Sequence, residues 1–138
     1  MGNTIKINKI SFEDVQSFIQ NPKSNILFIN TLPFSDQQCL ISGTFPANQE
    51  ESEINRILQM KSTEYKIIIY GKNSNDENLY KKFAQLHNLG FHENQIFIYM
   101  GGLFEWLLLQ DIYGHDLFPT TKIELEILKY KPAKIMHI

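Results

Sequence analysis

Apolar residues recur along this chain in two rhythms. Residues 5–10 alternate apolar and polar, the period of a half-buried strand. Residues 26–29 (ILFI), 65–70 (YKIIIY) and 96–100 (IFIYM) are instead short continuous runs of branched and aromatic side chains, the pattern of strands buried on both faces. The run 26–29 is expected to lie centrally in its sheet. Between the strands the spacing changes to that of helices. Phe12, Val15, Phe18 and Ile19 share a face behind a capping-box-like start at Ser11-Phe12-Glu13-Asp14. Ile54, Ile57, Leu58 and Lys61 set the inner edge of a helix over 50–61, and Leu79, Phe83 and Leu86 that of a helix over 76–88, which Gly90 stops. Gly101-Gly102 breaks the last strand, and a strongly apolar helix over 103–110 ends near Gly114. Asn21-Pro22 is a break, residues 33–40 read as a loop with one helical turn, and Gly43-Thr44-Phe45-Pro46 as an extended piece. Strands alternating with helices predict a mainly parallel α/β sheet covered on both faces.

Composition narrows the function classes. A chain of 138 residues with 43% hydrophobic and 12% aromatic content fills one core. Residues 1–114 read as one domain and residues 115–138 as an extension that docks on that domain or on a partner. A formal charge of -2 supplies no basic field for nucleic acid, and no run approaches the roughly 18 apolar residues of a membrane span. The single cysteine, Cys39, forms no intrachain disulfide, and the N-terminal residues carry neither an apolar signal core nor an arginine-rich presequence, so a cytoplasmic location is expected. Met1-Gly2-Asn3 opens like a myristoylation signal, but Lys6 stands where that signal uses Ser or Thr.

The candidate chemistry lies after the YKIIIY strand. It runs into the loop Gly71-Lys72-Asn73-Ser74-Asn75-Asp76 and then a helix, an arrangement that gathers backbone N–H groups and the positive end of a helix dipole around one point. No residue of the loop is a strong nucleophile. Lys72 is its one cation, and Asp76 with Glu77 satisfies the helix start while repelling an incoming anion.

With the elements in this order, four local motifs resemble the rhodanese-like family over roughly residues 5–114. Ile26-Leu27-Phe28-Ile29-Asn30 is similar to the strand before that family's Asp-Val-Arg segment, and Leu40-Ile41-Ser42-Gly43-Thr44 to its His-Ile-Pro-Gly-Ala turn. Tyr70-Gly71 falls where the family ends a strand on its catalytic cysteine. Ile98-Tyr99-Met100-Gly101-Gly102-Leu103-Phe104-Glu105-Trp106 resembles the Leu-x-Gly-Gly-x-x-x-Trp signature. The resemblance implies a three-layer α/β sandwich. It also implies a loop thiolate that carries sulfane sulfur in active members, or a cysteine and arginine bracketing the loop in the phosphatase branch. Here Gly71 holds the cysteine position, no arginine follows, and Asn30-Thr31-Leu32 replaces the acidic and basic pair, with loss of an internal ion pair or capping contact.

The remaining candidates read as structural. Ser74 has no histidine near it in sequence and reads as a turn residue, and Cys39 as a partly buried small apolar side chain. His87, His92, His115 and His137 lack partners at metal-ligand spacing. Trp106 with Phe104, Leu107, Leu108 and Leu109 reads as core rather than as a partner-binding stripe. In the extension, Lys122, Ile123, Leu125, Ile127, Lys129, Tyr130, Lys131 and Lys134 form a locally basic, apolar segment suited to an acidic protein surface. The expectation is a catalytically inactive domain, without metal or cofactor, that binds protein partners in a larger assembly. Cytoskeletal, ciliary and mitochondrial assemblies fit this profile. The alternative is a sensor whose loop still takes a small anion or metabolite.

Overall fold

The computed structural model describes residues 5–138, so the myristoylation-like start lies outside the described residues. The strands are β1 (Asn8–Ile10), β2 (Ile26–Asn30), β3 (Lys66–Tyr70) and β4 (Ile96–Tyr99). They form one sheet in the order β1-β4-β3-β2, every neighbouring pair parallel. In this register Ile68 sits between Phe28 and Phe97, and Tyr70 between Asn30 and Tyr99.

Alternation along the strands builds two cores. Leu27, Ile29, Ile67, Ile69, Ile96 and Ile98 point to one face, where α2 (Glu50–Met60) and α3 (Glu77–Leu89) contribute Ile54, Ile57, Leu79, Phe83 and Leu86. Phe28, Ile68, Tyr70 and Tyr99 point to the other, under Val15 of α1 (Phe12–Gln20) and Leu103, Trp106 and Leu107 of α4 (Gly102–Tyr113). Each fully buried Leu, Ile or Phe stabilises the fold by about 1.5–3 kcal/mol, so both faces are needed. This is the three-layer α/β arrangement that the sequence pattern predicts.

The position of β2 differs from expectation. It is buried from Leu27 to Asn30, yet it is an edge strand rather than a central one. Its free side is covered instead by the turn at Gly43, where the Phe45 N–H donates to the Phe28 carbonyl at 2.7 Å. A covering loop and a pairing strand bury side chains alike, so the apolar run did not separate the two. β1 is also shorter than the alternation over 5–10 suggests.

The extension is tied to the domain. Ser42 and Thr121 N–H groups bond the Pro119 and Leu40 carbonyls at 3.0 and 2.8 Å, around an antiparallel bridge between Ile41 and Thr120. Trp106 Nε1 donates to the Pro119 carbonyl at 3.1 Å, and the Trp106 ring meets Phe118 edge-on at 5.0 Å. Phe118 and Tyr130 are both part of the core under α1 and α4. Tyr130, grouped by sequence with the partner-facing residues, is therefore packed inside, 1% exposed. Its long apolar ring completes a core that α1 and α4 leave open. Ile127 is partly buried against the same core, whereas Ile123 and Leu125 are exposed.

Candidate functional site

In a parallel sheet the loops at the carboxyl ends of adjacent strands converge, and there α/β folds place their sites. Here the ends of β2, β3 and β4 bring together Asn30 and Thr31, the loop from Gly71 to Asp76, and Gly101-Gly102.

Asp76 organises the loop. As N-cap of α3 it accepts the Asn78 N–H on Oδ1 at 3.0 Å. Its Oδ2 turns back into the loop and accepts the Lys72 N–H at 2.9 Å and the Thr31 hydroxyl at 3.4 Å. Two charge-assisted bonds to backbone N–H groups are what a bound anion would receive at this point. The carboxylate also takes the space beside Gly71. A Cβ built there would overlap Asp76 Oδ2 and lie 2.8 Å from Thr31 Oγ1, closer than real Cβ atoms approach.

The loop's other side is fixed by α4. Leu103 and Phe104 N–H groups donate to the Gly71 and Lys72 carbonyls, both at 2.9 Å. This requires Gly102, whose φ of +66° is left-handed and whose added Cβ would lie 2.6 Å from the Gly71 carbonyl oxygen. Asn73, 6% exposed, folds its Oδ1 onto the Asn75 N–H at 2.9 Å and sends Nδ2 to the Tyr130 carbonyl at 2.7 Å. The extension then passes the mouth of the loop. A cleft of about 450 Å³ separates Lys72, Asn75 and Glu77 from Lys131, Ala133 and Ile135.

Each remaining candidate has a place. Ser74 is exposed at the loop's tip. The Lys72 ammonium leans towards Asp36 at 3.9 Å, a half-exposed pair worth at most about 1 kcal/mol. Asn30 still caps its turn, a correction to the expected loss of that contact: Oδ1 accepts the Leu32 N–H at 3.0 Å and Gln37 Nε2 at 2.8 Å. Neutral amides thus do the work of an ion pair. Cys39 lies away from the loop, 3% exposed, with Sγ donating to the Lys122 carbonyl at 3.3 Å; burial raises its pKa. Tyr70 is fully buried, its hydroxyl accepting the Ile41 N–H at 3.1 Å and meeting Thr44 Oγ1 at 2.7 Å, and burial pushes its ionisation up. His87 stacks on Phe83, His92 caps the turn before β4, and His115 Nε2 lies 3.2 Å from the Thr120 carbonyl. Among the described residues no three His, Cys, Asp or Glu side chains gather to hold a metal ion, and no helix is long and apolar enough to cross a membrane.

Thr31, Asp36 and Gly102 join the site without having been singled out by sequence for it. Thr31 and Asp36 follow β2 and Gly102 follows β4, and no local pattern announces contacts between such separate strand ends.

No protein-family model matches the sequence, and no curated protein matches it. Solved structures do. The BH2092 protein from Bacillus halodurans is 21% identical, with a TM-score of 0.59 over 78% of this chain and 74% of that one. The rhodanese-like domain of the Alr3790 protein from Anabaena sp. is 20% identical, with a TM-score of 0.56 over 96% of this chain and 90% of that one. Wild-type EanB, of which 29% is covered, matches 88% of this chain at 17% identity and a TM-score of 0.59. Likeness at such identities is one of architecture, and it agrees with the parallel sheet and the two helical layers: the chain has the rhodanese-like fold.

Proposed function

We propose that this domain is catalytically inactive and serves as a protein-binding or structural module in a larger assembly. The Asp76 carboxylate carries this reading: it holds the Lys72 N–H and fills the space beside Gly71, where sulfur chemistry needs a thiolate. Cys39 offers no substitute, because it is buried elsewhere and its pKa is raised rather than lowered. Exposed Lys122, Lys131 and Lys134 support an acidic protein surface as partner, of the kind cytoskeletal and ciliary structures present. Incubation with thiosulfate and cyanide, and with an arylphosphate, tests the first half. The expected rate is that of the blank; turnover that survives Cys39→Ala overturns it.

A second reading, a small-anion or metabolite sensor, draws on the cleft of about 450 Å³ beside Lys72. It is opposed by Asp76 and Glu77 in the cleft wall. Calorimetry against sulfate, phosphate and thiosulfate separates the two, since the sensor requires saturable binding that Lys72→Ala weakens.

A further inference from the structure

A second cleft opens at the carboxyl end of β2. No residue from Gly71 to Glu77 lines it, so it is separate from the loop cleft. Its volume of about 500 Å³ is within the range of small-molecule sites, and it lies at the strand ends where α/β folds hold ligands. One wall is a stripe of α3. Asn78, Lys81, Lys82 and Gln85 stand at i, i+3, i+4 and i+7, the spacing of one helix face, and each side chain ends in N–H groups. A second wall is the end of β2 and the turn after it, where the 2.8 Å bond from Gln37 Nε2 to Asn30 Oδ1 fixes both amides before any ligand arrives. Ala47 and Glu50, around the start of α2, supply the third. The lining carries two cations and one carboxylate. Glu50 is neutralised by Lys82, the two side chains 11% and 22% exposed. Lys81 has no ion-pair partner among the described residues, and Glu77, one turn before it, lines the loop cleft instead. One positive charge is left, set among amide groups.

We propose that this cleft binds a small hydroxylated carboxylate, an organic monoanion rich in hydroxyl groups. Lys81 meets the carboxylate, and the side-chain amides of Asn78 and Gln85, which both donate and accept, meet the hydroxyls. A phosphate monoester carries nearly two negative charges at neutral pH and would leave one of them unmatched. The site goes beyond both readings above, because it uses neither the loop at Gly71 nor the lysines of the extension.

Titration of the isotopically labelled chain with gluconate, followed through its amide chemical shifts, tests this. The expected result is a saturable shift centred on Thr31, Gln37, Ala47 and Lys81, with a dissociation constant of about 1 mM or tighter. Lys81→Gln should weaken binding about tenfold, the worth of one charge-assisted hydrogen bond, and Gln85→Leu should weaken it less. Sorbitol, which has the hydroxyls without the charge, should bind at least about tenfold more weakly than gluconate. Lys81 and Gln85 are exposed, so thermal unfolding of both variants should match that of the unmodified chain and separate lost binding from lost fold. The absence of a saturable shift overturns the proposal. So does equal binding of sorbitol, an affinity that both variants leave unchanged, or a shift centred on residues 71–77 that Lys72→Ala abolishes, which would place the anion in the loop cleft. An unbound chain would leave the module reading standing, since that reading is judged by turnover and by partner capture through the lysines of the extension.

Discussion

Asp76 holds the volume into which a side chain on Gly71 would project, and it is anchored there by the Lys72 and Asn78 N–H groups. The two positions are therefore coupled. Gly71→Cys should destabilise the fold by about 1–3 kcal/mol through overpacking. Asp76→Ala should cost about 1 kcal/mol as a lost cap. The double variant Gly71→Cys with Asp76→Ala should be more stable than the sum of the two by at least ~0.5 kcal/mol, as urea unfolding will read. Strict additivity would mean that the carboxylate moves aside freely.

Gly102 and Gly114 both have positive φ, +66° and +100°, but only Gly102 is crowded. Gly114, with ψ at 160°, lies in a region essentially confined to glycine, so Gly114→Ala should cost that backbone penalty alone, about 1–3 kcal/mol. Gly102→Ala should cost distinctly more, because its Cβ meets backbone and no side chain can yield. Equal shifts in melting temperature would contradict the close approach of α4 to the Gly71 carbonyl.

The buried bond from Asn73 Nδ2 to the Tyr130 carbonyl joins the loop to the extension. Asn73→Ala should lower stability by about 1–3 kcal/mol, the cost of leaving buried groups unpaired. Amide hydrogen exchange should speed up in residues 127–131. Unchanged exchange there would show that Tyr130 packing alone secures the segment.

Burial raises the pKa of Cys39 from 9.0 and pushes Tyr70 and Tyr99 above 10.0. For Tyr99 the hydrogen bond to Glu105 Oε1, at 2.7 Å, acts in the same direction. The unfolded chain gives up these protons first, so it binds fewer of them than the native state does once the pH passes about 9. Their contribution is complete below the unfolded pKa values and is lost as the pH rises through the folded ones. Urea midpoints should therefore fall between pH 9 and pH 11, with Tyr70 and Tyr99 ionising only as the protein unfolds. A midpoint flat across that window would rule this out. For the same reason iodoacetamide should modify Cys39 at pH 8 far more slowly in the native protein than in urea.

Periodicity located every strand and long helix, because each buries a face whose spacing repeats along the chain. It placed Trp106 and Leu107 in the core but did not show that Leu108 and Ile112 stay bare, since an apolar helix reads alike from all sides. The glycine at the end of the YKIIIY strand and the cap at Asp76 were legible as local signals. That the cap reaches back to Lys72 and Thr31, and that Tyr130 lies inside the core, were not. Those contacts join residues far apart in sequence, and the irregular spacing of residues 123–130 matches no helix or strand.

The placement of Phe118 and Tyr130 beneath α1 and α4 also sets an order of events during synthesis. A polypeptide leaving the ribosome from its N-terminus holds all four strands by residue 99 and the last long helix by residue 113. The layer under that helix nevertheless stays unfinished until residue 130 has emerged. Trp106 and its neighbours are then the surface a nascent chain leaves open longest, and the natural place for a chaperone to wait.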